Sequence, residues 1–142
     1  MKTLAILFLS LLFPTLVYAN WVAETSLLTP RDSFIGGVID GKIYAFGGNG
    51  DPGGIDLKST EVFDPATQSW SFLASNEHNG GFGVEELTGA VVNGKLYVFG
   101  GYSGPSGVFN FVEEYDPATD TWTSKAPMPT TRSLATAAVY NG

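Results

Sequence analysis

The chain repeats itself, and no other feature of its 142 residues narrows the fold so far. Lys42-Ile43-Tyr44-Ala45-Phe46-Gly47-Gly48 returns as Lys95-Leu96-Tyr97-Val98-Phe99-Gly100-Gly101, an offset of 53. Glu61-Val62-Phe63-Asp64-Pro65-Ala66-Thr67-Gln68-Ser69-Trp70 returns as Glu113-Glu114-Tyr115-Asp116-Pro117-Ala118-Thr119-Asp120-Thr121-Trp122, an offset of 52. Trp21, Trp70 and Trp122 are spaced 49 and 52 apart. A third, partial copy matches Pro30-Arg31 and the run to Asp40-Gly41 with Thr131-Arg132 and the run to Asn141-Gly142. A single unit of this size cannot bury its apolar face alone, so the pattern calls for stacked copies sharing a continuous core.

Each copy reads as four strands. The first is Phe34–Asp40, echoed by Leu87–Val92 and Leu134–Tyr140. Asp40-Gly41 and Asn93-Gly94 follow it as two-residue hairpin signals, because both central positions of such a turn need positive φ. The second strand is the Tyr/Phe run ending in the glycine pair; it is apolar throughout, which predicts cover on both of its faces. Gly/Pro-rich loops come next, Asn49–Lys58 and Tyr102–Val108. The third strand ends at Asp64-Pro65 or Asp116-Pro117, the residues a type I turn prefers at its first two positions. The fourth begins at Trp70 or Trp122.

Gly-Gly after Tyr-x-Phe, then Glu-x-aromatic-Asp-Pro, then Trp, resembles the kelch repeat, and the match runs over essentially all of 21–142. The resemblance implies an all-β fold, a kelch-type β-propeller, with the first strand of each blade at the central channel and the fourth outermost. It assigns structural roles to Gly47, Gly48, Gly100, Gly101, Tyr44, Tyr97, Asp64, Asp116, Trp70 and Trp122. Repeat units fall at about 21–70, 70–122 and 122–142: two complete four-stranded blades plus one stray strand at each end, Trp21–Thr25 and Leu134–Tyr140. Because propellers close with about 4–8 blades, this reading makes the chain an incomplete ring, with the remaining blades expected in a longer protein.

Residues 1–19 read as an address. Lys2 gives a basic start, Leu4 to Val17 is almost wholly apolar, and Val17-Tyr18-Ala19 places small residues where a signal peptidase cuts. Cleavage after Ala19 leaves 20–142 as the partial propeller and predicts a secreted or periplasmic protein without membrane insertion. The chain has 0 cysteines, so an exported product would owe its stability to packing alone. Loss of Lys2 leaves 6 basic residues against 14 acidic ones. Such a surplus disfavours nucleic acid, which needs a basic face.

Chemistry is sparse. Gly48-Asn49-Gly50-Asp51-Pro52-Gly53 has the spacing of a dinucleotide loop, but Pro52 interrupts it and no helix is predicted to follow. Asn49, Asp51 and Asp56 are oxygen ligands without the regular spacing of a calcium loop. The one histidine, His78, and the absent cysteines leave no metal or cofactor set, and no catalytic residue is assigned. Arg31 and Arg132 precede the inner strand of copies one and three, where the resemblance implies a channel mouth and guanidinium groups can hold carboxylates; as recurring features of the repeat they suit blade packing at least as well. Copy two carries Val84 there. The binding candidates are therefore Arg31, Arg132, Asp51 and His78. The leading reading is an exported binding or protein-interaction module working through the loops at Asn49–Lys58, Ser75–Glu86 and Tyr102–Val108, its ligand a protein or a carbohydrate. The alternative that the resemblance implies is an enzyme acting on a carbohydrate or sugar acid in the manner of a mutarotase, with key residues partly in other blades. A copper carbohydrate oxidase, also found on kelch-like folds, would need Cys and His ligands that this segment lacks.

Overall fold

The computed structural model describes residues 24–51, 53–77, 80–104 and 106–140; the expected signal peptide, Trp21 and His78 lie outside them. In chain order the strands are β1 (Arg31–Asp32), β2 (Ile35–Ile39), β3 (Lys42–Phe46), β4 (Asn49–Gly50), β5 (Ile55–Asp56), β6 (Thr60–Asp64), β7 (Ser69–Leu73), β8 (Thr88–Val92), β9 (Lys95–Phe99), β10 (Tyr102–Ser103), β11 (Gly107–Val108), β12 (Val112–Asp116) and β13 (Thr121–Ser124). Two antiparallel four-stranded meanders, β2-β3-β6-β7 and β8-β9-β12-β13, match the two blades that the resemblance implies. Their registers are equivalent: Phe63 pairs with Trp70 in one and Tyr115 with Trp122 in the other. Among the described residues there is no helix.

The turns have the geometry their residues require. Asp40 and Gly41 sit at φ 49° and 75°, Asn93 and Gly94 at 50° and 73°, the doubly positive pattern of a tight hairpin. At the far turn the Asp64 carboxylate accepts from Ala66 N at 2.9 Å, and Asp116 does the same for Ala118 N at 2.9 Å. The glycine pairs join one copy to the next. Gly48 N donates to Val84 O and Gly101 N to Arg132 O, both at 2.8 Å. A Cβ on Gly48 would lie 2.3 Å from Asp32 O, and the φ of +92° already disfavours one.

The core lies between the blades. Phe46, Tyr44 and Val62 of the first face Leu96, Val98, Tyr115 and Trp122 of the second, with Val84 and Leu87 closing the end nearest the loops. The Trp122 ring packs on Phe46 at 4.3 Å and on Tyr115 at 5.1 Å. Its Nε1 donates to Ala74 O at 3.0 Å, so the outer strand of one blade holds the exit of the preceding one. Trp70 repeats the arrangement one unit earlier: its Nε1 donates to Thr25 O at 2.9 Å. Full burial of rings this size stabilises by roughly 2–3 kcal/mol each, which is why one large aromatic per copy recurs.

Three expectations change in detail. The middle strand is covered on both faces at Tyr44, Ala45 and Phe46, but β9 alternates, with Leu96 and Val98 buried and Tyr97 and Phe99 only half-buried. Among the described residues no further blade lies on that outer side. Leu134–Tyr140, expected as an inner strand, forms no ladder, because a first strand is held by a second and none is present among the described residues. Leu134 N is tied to Glu86 O at 3.1 Å, and the chain beyond it is largely exposed. At the other end, Glu24 and Thr25 are the described part of the expected Trp21–Thr25 strand and carry no ladder either.

Candidate functional site

Each middle hairpin is opened by a long connection between its second and third strands, and the inter-blade connection emerges at the same end. These are the three loops picked out in the sequence, and the fold brings them together. Short ladders stiffen them: β4 pairs with β1 and β5, β10 with β11, and Glu85 bridges Tyr102. Between them is an open cleft of about 510 Å³ lined by Asn49, Asp56 and Lys58 from the first loop, Phe82 and Glu85 from the second, and Ser103 from the third. Gly83 makes the approach possible, since a Cβ there would lie 1.7 Å from Asp56 O.

The polar groups are partly spoken for. The Asp56 carboxylate accepts from Gly104 N at 3.0 Å and, at 3.4 Å, from Asn49 Nδ2. Burial holds the Glu85 carboxyl above its usual range, and the negative charges of Asp56, Glu86 and Asp32 push the same way against a hydrogen bond from Asn49. Lys58, the cation in the lining, is paired with Glu77 at 2.7 Å. Phe82 is 44% exposed and Ile55 67%, so the rim is apolar.

Arg31 is not available to a ligand. Its side chain and that of Glu61 are both fully buried and form an ion pair at 2.5 Å. The guanidinium also donates to Gly47 O, Ser59 O, Ser59 Oγ and Thr29 O, so it fastens the N-terminal segment to the first blade. Glu61 further accepts from Leu28 N at 2.8 Å and Thr29 N at 3.1 Å. In the second blade Val84 takes the place of the arginine and is itself core, while Glu113 accepts from Ser124 Oγ at 2.7 Å. Arg132 is exposed and borders a different hollow with Thr88, Phe99 and Met128. Asp51 sits exposed on the β4–β5 turn, outside the cleft. Arg31, Arg132 and Asp51 thus do not share a site, and His78 lies outside the described residues. Phe82 and Lys58 were not singled out from sequence; an isolated aromatic amid Gly80, Gly81 and Gly83 was the available signal.

At the hairpin end the charges pair with one another. Lys42 meets Asp64 at 2.9 Å, and Glu114 takes Lys95 at 2.8 Å and Lys125 at 2.9 Å. Tyr97 OH donates to the same carboxylate at 2.5 Å. These donors hold the Glu114 carboxyl down to about 2. Among the described residues no group of three or more His, Cys, Asp or Glu is placed to hold a metal, and no helix is long and apolar enough to cross a membrane.

Known proteins agree with this architecture. The Kelch motif family profile matches residues 36–77 and 86–129. An F-box/kelch-repeat protein of Arabidopsis thaliana is 35% identical over 107 residues, covering 75% of this chain and 26% of that protein. Kelch-like protein 25 of Rattus norvegicus is 33% identical over 116 residues, covering 75% and 19%. Beta-scruin of Limulus polyphemus is 29% identical over 136 residues, covering 89% and 14%. The chain therefore spans about a quarter or less of these relatives. The solved structure of YjhT superposes with a TM-score of 0.66 at 24% identity, covering 78% of this chain and 42% of that one, a likeness of fold. With two blades built on two matched motifs, the chain belongs to the kelch-repeat family.

Proposed function

We propose that the protein is an exported kelch-repeat binding module that engages its partner through the cleft between the three loops. The observation that supports this is convergence: loops from two separate blades meet around one concavity, with an exposed aromatic ring and the carboxylates of Asp56 and Glu85 in its lining. Rigid strands with functional loops at one end are a common division of labour. The enzymatic alternative, turnover of a sugar acid, would bring an anionic substrate against Asp56 and Glu85, so the cleft favours the binding reading.

The test uses the full-length chain on protein and glycan arrays, followed by Phe82→Ala and Asp56→Ala. Binding lost by both variants with folding retained supports the cleft; binding kept by both but lost in Lys42→Ala, at the hairpin end, refutes it. Exchange NMR on a sugar acid should show anomers interconverting no faster with the protein than without it. For export, the mature protein recovered outside the cytoplasm should begin at Asn20; an intact Met1 there would overturn that part.

A further inference from the structure

The chemistry of this cleft says which side chain it fits. Asp56 and Glu85 both line it, and the one lysine that lines it is already committed to Glu77. Arg31 is sealed in the core against Glu61 and contributes no donor to the cleft. Among the described residues the Asp56 carboxylate accepts from Gly104 N at 3.0 Å and, at 3.4 Å, from Asn49, which leaves lone pairs for a further donor. The Phe82 ring, also in the lining, is exposed.

We infer that the cleft takes an arginine side chain of a partner protein, its guanidinium received by the carboxylates of Asp56 and Glu85 beside the ring of Phe82. This rests on the binding reading above and adds the chemistry of the partner. A planar cation with five N–H donors can bond two carboxylates and lie against an aromatic face at once, which an ammonium cannot do as well. The surroundings point the same way. The Glu85 carboxyl is held above its usual range, first by burial and then by the charges of Asp56, Glu86 and Asp32, all of which penalise its anion. An arriving cation relieves that penalty; an arriving anion deepens it. The acidic excess of the chain, 14 against 7, steers cationic partners at long range.

The experiment is an amide NMR titration of the full-length chain with three capped tripeptides: Gly-Arg-Gly, its citrulline analogue of matching shape without charge, and Gly-Glu-Gly. The arginine peptide should shift the amides of Gly81, Gly83 and Gly104, with at least about tenfold weaker binding for citrulline. Its affinity should fall several-fold between about 50 and about 300 mM salt. Asp56→Asn and Glu85→Gln, which keep shape and remove charge, should each weaken it about fivefold or more while melting with the parent protein; Phe82→Leu serves if either fails to fold. Equal binding of citrulline, or absence of salt dependence, overturns the inference. If the glutamate peptide or a neutral glycan shifts those glycines and arginine does not, the charge assignment fails and the cleft survives as the binding surface. If no probe shifts them and an array partner still binds Phe82→Ala, both readings fall.

Discussion

The Arg31–Glu61 pair is the strictest test of how the first blade is held. Arg31→Met keeps most of the buried stem and removes every donor. Glu61 then retains only the Leu28 and Thr29 amides, and Gly47 O and Ser59 O lose a partner inside the protein. Breaking a buried ion pair from one side costs about 3–5 kcal/mol, because the remaining charge is stranded. The two surviving backbone bonds offset part of that, so a loss of about 3–4 kcal/mol is expected. Glu61→Gln, with its amide oxygen still able to accept, should lose about 2–3 kcal/mol by stranding the guanidinium instead. In the double variant neither charge remains, and its loss should fall short of the sum by about 2 kcal/mol. Urea unfolding of the full-length chain and its three variants measures this, provided the slopes agree. Single losses under about 1 kcal/mol, or additivity within about 0.5 kcal/mol, would refute the pairing as the fastening of the N-terminal segment.

Other perturbations separate other contacts. Trp122→Ala should cost about 3–5 kcal/mol and Trp122→Phe only about 1–2, because phenylalanine keeps the stack on Phe46 while Thr60 Oγ1 still donates to Ala74 O; equal losses would mean the ring contributes little. Gly83→Ala drives a methyl into the Asp56 carbonyl and should either cost more than about 3 kcal/mol or displace the loop, read as a moved Gly104 amide; a silent variant would contradict the close approach. Glu114, lowered from 4.5 to about 2, stabilises fully above the upper value and progressively less as pH falls toward the lower. Acid unfolding of Glu114→Gln between those limits should therefore show a flatter stability profile than the parent, with an offset of about 1–2 kcal/mol at neutral pH given its half-exposed lysine partners. An unchanged slope would remove Glu114 from the acid response.

The repeat made the blades legible before any coordinate. Asp40-Gly41 and Asn93-Gly94 demanded hairpins, Asp-Pro demanded the far turn, and Trp70 and Trp122 marked outer strands; each is local chemistry that neighbours in sequence decide. The sequence left Arg31 open between binding and blade packing because its partner, Glu61, lies 30 residues away and only folding brings them together. The three loops were legible, but the same distance hid which of their side chains line the cleft. Phe82 had no counterpart in another copy to make it stand out. The ladders β4-β5 and β10-β11 were missed because two residues are too few to show a period. Tyr97 and Phe99 looked covered because periodicity reports what a strand is suited to, and here one neighbour is enough to bury Leu96 and Val98 alone.

The tryptophan stack also sets a timetable for synthesis. Phe46 finds its ring partner in Trp122, 76 residues later in the chain, and Ala74 O waits 48 residues for the indole N–H. At about 5–20 residues per second, a first blade completed at Leu73 shows its inner aromatic face for roughly 2–10 s before Trp122 is made. Through that interval Phe46, Tyr44 and Val62 are an apolar sheet face without a neighbour, the kind of surface that draws holdase chaperones or another unfinished chain. Codon choice that slows elongation between the blades would lengthen the exposure, and yield rather than stability would register it.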